Sequence, residues 1–209
     1  MGTLDPSARI LPMGALMTVE PQVTWPTPPA DGWVAEDLDR LPNLPPHTEL
    51  LDGSLTFMGA QSTFHYCVIE LLAYGLRAAK PSDLALIREM TVTLNRRNRP
   101  EPDLMVVPRS AVSGLGQTDF KPSDVLLAIE VVSAESEERD REVKPRKYAG
   151  AGFAHFWRVE NEKGEPAVHV FELDAAIGAY APMGVHRKRL ALDLPFPVDI
   201  DLADPLRWL

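Results

Sequence analysis

The run from Val125 to Ser133 reads Val-Leu-Leu-Ala-Ile-Glu-Val-Val-Ser, the composition of a buried strand with one carboxylate, Glu130, set inside it. A charge among such neighbours is costly unless it is paired or bound to a cation. The chain must therefore fold so that a buried strand meets an ionic partner. A second apolar run, Leu104 to Val107, is opened by Asp103 behind Pro102. Downstream, the charged segment Glu135 to Ala149 carries Lys144. Two carboxylates on neighbouring strands with a lysine in reach would suit one or two Mg²⁺ ions, which take hard oxygen ligands. If Asp103 and Glu130 are adjacent, the backbone carbonyl of Val131 is placed to be a further ligand. Lys144 would then orient a water or offset charge in the transition state.

Each residue also has a structural explanation. Asp103 after a proline suits a loop-to-strand junction, and Glu130 suits a structural ion pair. In Glu135 to Ala149 the acids lie early and Lys144, Arg146 and Lys147 late, as a helix dipole favours. Asp140, Lys144 and Tyr148 nevertheless share one face at i, i+4 and i+8, which would carry Lys144 towards the strand ends. Pro145 removes a helical donor beside it and starts or kinks the helix there.

With 209 residues and a hydrophobic fraction of 45%, the chain is sized for one domain with a real core. No apolar run approaches the length of a membrane helix, and the start lacks the layout of a signal peptide. Cys67 is the single cysteine, so a reducing cytoplasm is expected. A net charge of −9 argues against a general nucleic-acid coat protein but leaves room for a local basic groove.

Prolines at positions 6, 12, 21, 26, 28 and 29 mark residues 1–30 as an extended arm, either a tail or a partner-binding segment, ahead of a domain over 31–209. Within that domain a short helix over Trp33–Leu41 is followed by a hairpin turning at Asp52-Gly53. A long helix runs from Ser62 or Thr63 to Ala79. Strands are expected at Leu84–Ile87, Glu89–Leu94, Leu104–Val107, Val125–Val132, Phe156–Val159 and Ala167–Leu173, with a second helix over Glu135–Ala149. The proline-broken run Leu192–Ile200 reads as a surface flap. This order fits an α/β fold, a mixed β-sheet flanked by helices.

Pro102-Asp103, Glu130-Val131-Val132-Ser133, Asp140-Arg141 with Lys144 and Tyr148, and Phe156-Trp157-Arg158-Val159 together resemble the Uma-two family of restriction-endonuclease-like proteins, within the PD-(D/E)xK nuclease superfamily. The resemblance implies a restriction-endonuclease-like core and a Mg²⁺-dependent endonuclease acting on DNA, with Mn²⁺ as an alternative ion; a homodimer is expected because double-strand cleavage is commonly done by two symmetric sites. It implies that Asp103 and Glu130 are metal ligands. It also implies that Lys144 stands in for the lysine otherwise found two residues after the glutamate, where this chain has Val132. Glu49 enters as a third acidic group, and His65 is singled out on the first long helix. Arg141 is expected to support the site through a salt bridge, and Arg96, Arg97 and Arg99 to face a phosphate backbone or solvent. The alternative is a catalytically idle module of the same fold that binds nucleic acid or a protein. A small-molecule metallohydrolase ranks last, because the five histidines show no metal-ligand spacing.

Overall fold

The computed structural model describes residues 27–209, so most of the expected N-terminal arm lies outside the described residues. The chain opens with a 3-10 turn at Ala35–Asp39, followed by β1 (Thr48–Leu51) and β2 (Ser54–Phe57) in antiparallel register. Their turn uses positive φ at both central residues, 51° at Asp52 and 80° at Gly53, the backbone twist a two-residue hairpin favours. Helix α1 (Thr63–Ala79) is capped by Ser62, whose hydroxyl accepts from the His65 amide at 3.2 Å.

Six strands form the central sheet in the order β10-β9-β8-β7-β5-β3. They are β3 (Leu84–Arg88), β5 (Leu104–Pro108), β7 (Leu127–Val131), β8 (His155–Glu162), β9 (Glu165–Asp174) and β10 (Ala179–His186). The stretch Glu89–Leu94 yields only the two-residue strand β4 (Thr91–Val92), which pairs outside this sheet with β6 (Asp119–Phe120). Neighbouring strands are antiparallel except β7 and β8, which run parallel. A parallel pair needs a crossover of a dozen or more residues. Residues 132–154 supply it, and they contain Lys144.

Alternation along the strands separates two cores. Leu104, Val106, Leu127, Ile129 and Val131 face α1 with Val68, Leu72 and Leu76. Met105, Val107 and Ala128 face the other way, with Tyr148, Phe153 and Phe156. Glu130 shares the parity of Ala128 and so points to the second face. The expected C-terminal flap is a hairpin of β11 (Arg189–Leu192) and β12 (Val198–Asp201). It stays out of the central sheet, yet Phe196, Val198 and Ile200 are buried in the α1 core. Gly75 permits this: a Cβ there would lie 2.7 Å from the Ile200 side chain.

The expected helix over Glu135–Ala149 divides into a π-helical turn, Arg139–Val143, and α2, Lys144–Ala151. Pro145 explains the division. Its ring would clash with the carbonyl four residues back in a regular helix; here the wider turn precedes it, with the Lys144 amide reaching Arg139 O, and Pro145 falls in the first turn of α2. Among the described residues no helix is long and apolar enough to cross a membrane.

Candidate active site

The register Leu104↔Ile129 and Met105↔Ala128, continued by one residue, sets Asp103 opposite Glu130. The regular ladder stops there. In its place Asp103 Oδ2 accepts the Val131 amide at 2.6 Å, and Asp103 Oδ1 lies 3.2 Å from His65 Nε2. One carboxylate thereby ties the ends of β5 and β7 to α1. His65 is 4% exposed and Asp103 7%, so the contact is internal.

Glu49 arrives from the hairpin. Leu50 and Arg99 exchange backbone hydrogen bonds at 3.1 and 2.8 Å, and the Glu101 amide donates to Glu49 Oε1 at 2.8 Å. Lys147 holds the turn to α2 by donating to Asp52 Oδ1 at 2.6 Å.

Lys144 closes the cluster. Its Nζ lies 2.9 Å from Glu49 Oε1, 3.0 Å from Glu130 Oε2 and 3.4 Å from Asp140 Oδ1. Tyr148, one turn further, donates to Glu130 Oε1 at 2.5 Å. The face shared by Asp140, Lys144 and Tyr148 is thus turned inwards, and all three are buried. The helix-dipole explanation of Lys144 as a surface charge does not hold, because the residue is only 1% exposed.

The electrostatics follow from this crowding. Burial pushes the Glu130 carboxyl well above its ordinary range; Lys144 opposes the rise, while Asp140, Asp103 and Glu49 add to it. Asp140 is pushed up by the same burial. Burial alone would depress Lys144, but Glu130, Glu49 and Asp140 together outweigh it and hold the ammonium well above its usual value. The Tyr148 phenol is raised by burial and by Glu130, so it remains a donor.

The donors fit a hard divalent cation in kind, since all are oxygens. Glu49 Oε2 is buried without a hydrogen-bond partner, and one ammonium stands against several carboxylates. The arrangement is not a ready-made metal centre, however: among the described residues no three His, Cys, Asp or Glu side chains converge as metal ligands do. Lys144 occupies the middle of Glu49, Glu130 and Asp140, and both Asp103 oxygens are engaged by Val131 and His65.

Other sequence expectations divide. Arg141 makes its salt bridge, a two-pronged contact to Glu160 at 2.9 and 2.7 Å. The loop arginines need correction. Arg99 is buried and clamps Asp39 at 2.7 and 3.0 Å, and Arg97 donates to the Asp52 carbonyl at 2.7 Å and to that of Asp31. These two hold the hairpin and the 3-10 turn, because a guanidinium offers enough donors to satisfy several loop carbonyls at once; Arg96 remains exposed. Two roles escaped the sequence reading, Asp140 as a fourth acid and Tyr148 as the partner of Glu130. Their i, i+4, i+8 spacing with Lys144 was the available signal.

A mixed sheet with paired acids on adjacent strands and a lysine on the crossover helix agrees with the restriction-endonuclease-like core that the sequence resemblance implies. Consistent with this, the family model described as "Uma2: Putative restriction endonuclease" matches residues 35–204, and the chain belongs to that family. A nuclease-like function comes with the family description. The fold is also that of a solved structure, titled as a putative nuclease belonging to DUF820 from Anabaena variabilis, with TM-score 0.64, 14% identity and coverage of 83% of this chain and 97% of that one. No curated protein matches the chain.

Proposed function

We propose that this protein is a divalent-metal-dependent endonuclease that hydrolyses DNA phosphodiester bonds. The observation that carries the reading is the surplus of buried carboxylate around Lys144, with Glu49 Oε2 left unpaired. Burying each such ion costs several kcal/mol after relaxation, and a site that binds a cation recovers that cost. Asp103, Glu130 and the Val131 carbonyl would hold Mg²⁺ or Mn²⁺, which when bound polarises a phosphate and acidifies a water. Glu49 and Asp140 fix the ammonium of Lys144 beside Glu130, where it orients a water or stabilises charge developing on phosphate. Tyr148 orients Glu130, and His65 orients Asp103. Cutting both strands would call for two copies of the chain.

The second reading is an idle module of the same fold that binds nucleic acid or a protein. What favours it is that both Glu130 oxygens and both Asp103 oxygens already have partners within the protein.

Calorimetric titration with Mn²⁺, with and without duplex DNA, separates the two. The nuclease reading expects binding in wild type that is lost in Asp103→Asn and Glu130→Gln, followed by cleavage of DNA. A folded protein that binds no Mn²⁺ in either condition would leave the idle module standing.

A further inference from the structure

On the flank of α2 beside Lys144 and Tyr148 lies a separate cavity of about 310 Å³. Its size is at the small end of ligand pockets, roughly 300–1,000 Å³. Arg141, Arg146 and Arg158 line it together with the aromatic rings of Phe156, Phe171 and Tyr180; no acidic residue is among its lining, but Arg146 pairs with the exposed Glu142 and Arg141 and Arg158 with Glu160. Phe156 stacks on Phe171 and Tyr180 at centroid distances of 5.7 and 5.4 Å. The Tyr180 hydroxyl is fixed by donating to Phe153 O at 3.0 Å, which holds its ring in place.

Arg158 is the informative member. Its Nε sits 2.9 Å from Glu160 Oε1 and its guanidinium lies 5.5 Å from the centre of the Phe171 ring. Among the described residues its Nη atoms make no hydrogen bond. An arginine in ion-pair contact with a carboxylate through Nε, set over a ring and with its outer donors free, suits a bidentate anion such as phosphate. Rings beside it suit a planar, apolar partner.

We infer that this pocket binds a nucleoside monophosphate, with the phosphate on Arg158 and Arg146 and the base against the partly buried rings of Phe171 and Tyr180. The source is either a free nucleotide or the 5′-terminal nucleotide of a strand. None of Glu49, Asp103, Glu130 or Lys144 lines the cavity, so the inference stands apart from the nuclease reading.

The test is calorimetry on the full chain in EDTA, which keeps divalent metal out of the other site. The probes are 2′-deoxyadenosine 5′-monophosphate, inorganic phosphate and deoxyadenosine. The nucleotide should bind at least about tenfold more tightly than either fragment, a tenfold step being about 1.4 kcal/mol. Arg146→Ala, on a side chain 77% exposed, should weaken it, and Arg158→Lys, which keeps a charge for Glu160 but loses the fork, should weaken it roughly tenfold. Ala179→Glu at the exposed rim should abolish it; thermal unfolding of each variant checks the fold. A 5′-phosphorylated oligonucleotide that outcompetes its 5′-hydroxyl counterpart identifies a strand end, and failure of both to displace the nucleotide identifies the free nucleotide. The proposal is overturned if neither nucleotide nor phosphorylated oligonucleotide binds, or if binding survives both Arg158→Lys and Ala179→Glu.

Discussion

Among the described residues one arginine and one lysine, Arg99 and Lys144, are buried, and their surroundings are opposite in kind. Arg99, 4% exposed, faces one carboxylate. Its remaining donors reach Thr91 Oγ1 at 2.8 Å and the Ala35 carbonyl at 3.1 Å. Lys144, 1% exposed, faces three carboxylates within 3.4 Å, and two of them, Glu49 through Oε2 and Asp140 through Oδ1, keep an oxygen without a hydrogen-bond partner. The Arg99 hydrogen bond holds the Asp39 carboxyl below its ordinary value, whereas burial among other acids pushes Glu130 above its own. A cation placed only to hold loops together is matched one to one. An excess of buried anion raises the energy of the folded state and persists where something else uses it, which is why the Lys144 cluster reads as a site and the Arg99 cluster as a brace.

Removing each cation is the strongest way to break this contrast. Lys144→Ala leaves Glu49, Glu130 and Asp140 facing one another, and urea unfolding should show a loss of about 3–5 kcal/mol. Cleavage should be abolished. If the cluster is a cation site, Mn²⁺ should restore part of the lost stability; a loss indifferent to Mn²⁺ would make Lys144 a second brace. Arg99→Met should cost less, about 1–3 kcal/mol from unsatisfied buried groups, because the side chain of Asp39 is 51% exposed and can return to water. Mn²⁺ should leave that loss unchanged.

The same contrast shows what could be read from the sequence. Glu130 was legible because a carboxylate between Ile129 and Val131 has few explanations, and Asp52-Gly53 because its turn demands positive φ. Lys144 was legible only through its spacing with Asp140 and Tyr148. Arg99 was not, since its burial depends on a bridge between Leu50 and a segment about fifty residues away. Nothing local separates such an arginine from Arg96, three residues before it in the same basic run and exposed. The edge strand β10 was hidden for a related reason: Pro182 and Gly184 interrupt its pattern, and the register shift between them absorbs the break.

A smaller change sharpens the role of the Lys144 surroundings. Tyr148→Phe removes one charge-assisted hydrogen bond to Glu130 while keeping the ring stacked on Phe153 at 4.8 Å. The loss of stability should be about 1–2 kcal/mol. If Tyr148 positions Glu130 for a metal, Mn²⁺ affinity should also fall, by roughly tenfold, as for an outer partner of a ligand. A variant with unchanged Mn²⁺ affinity and reduced stability would place Tyr148 in the core alone.

The smallest effect tests the brace by titration. Arg99, through its hydrogen bond first and its charge second, lowers the Asp39 carboxyl below the ordinary value of 3.8. A carboxylate with a depressed value in the folded state contributes stability that is present above about 3.8 and is lost as pH falls through the lower folded value. Asp39→Asn removes the charge and keeps a side-chain oxygen for Arg99, so the difference in unfolding free energy from wild type isolates this contribution. At neutral pH it should be under about 1 kcal/mol, since Asp39 is largely solvated. The difference should shrink as the solution is acidified below 3.8. A difference that stays constant with pH would mean that Arg99 is held by geometry and its neutral partners, Thr91 and the Ala35 carbonyl, rather than by the charge of Asp39.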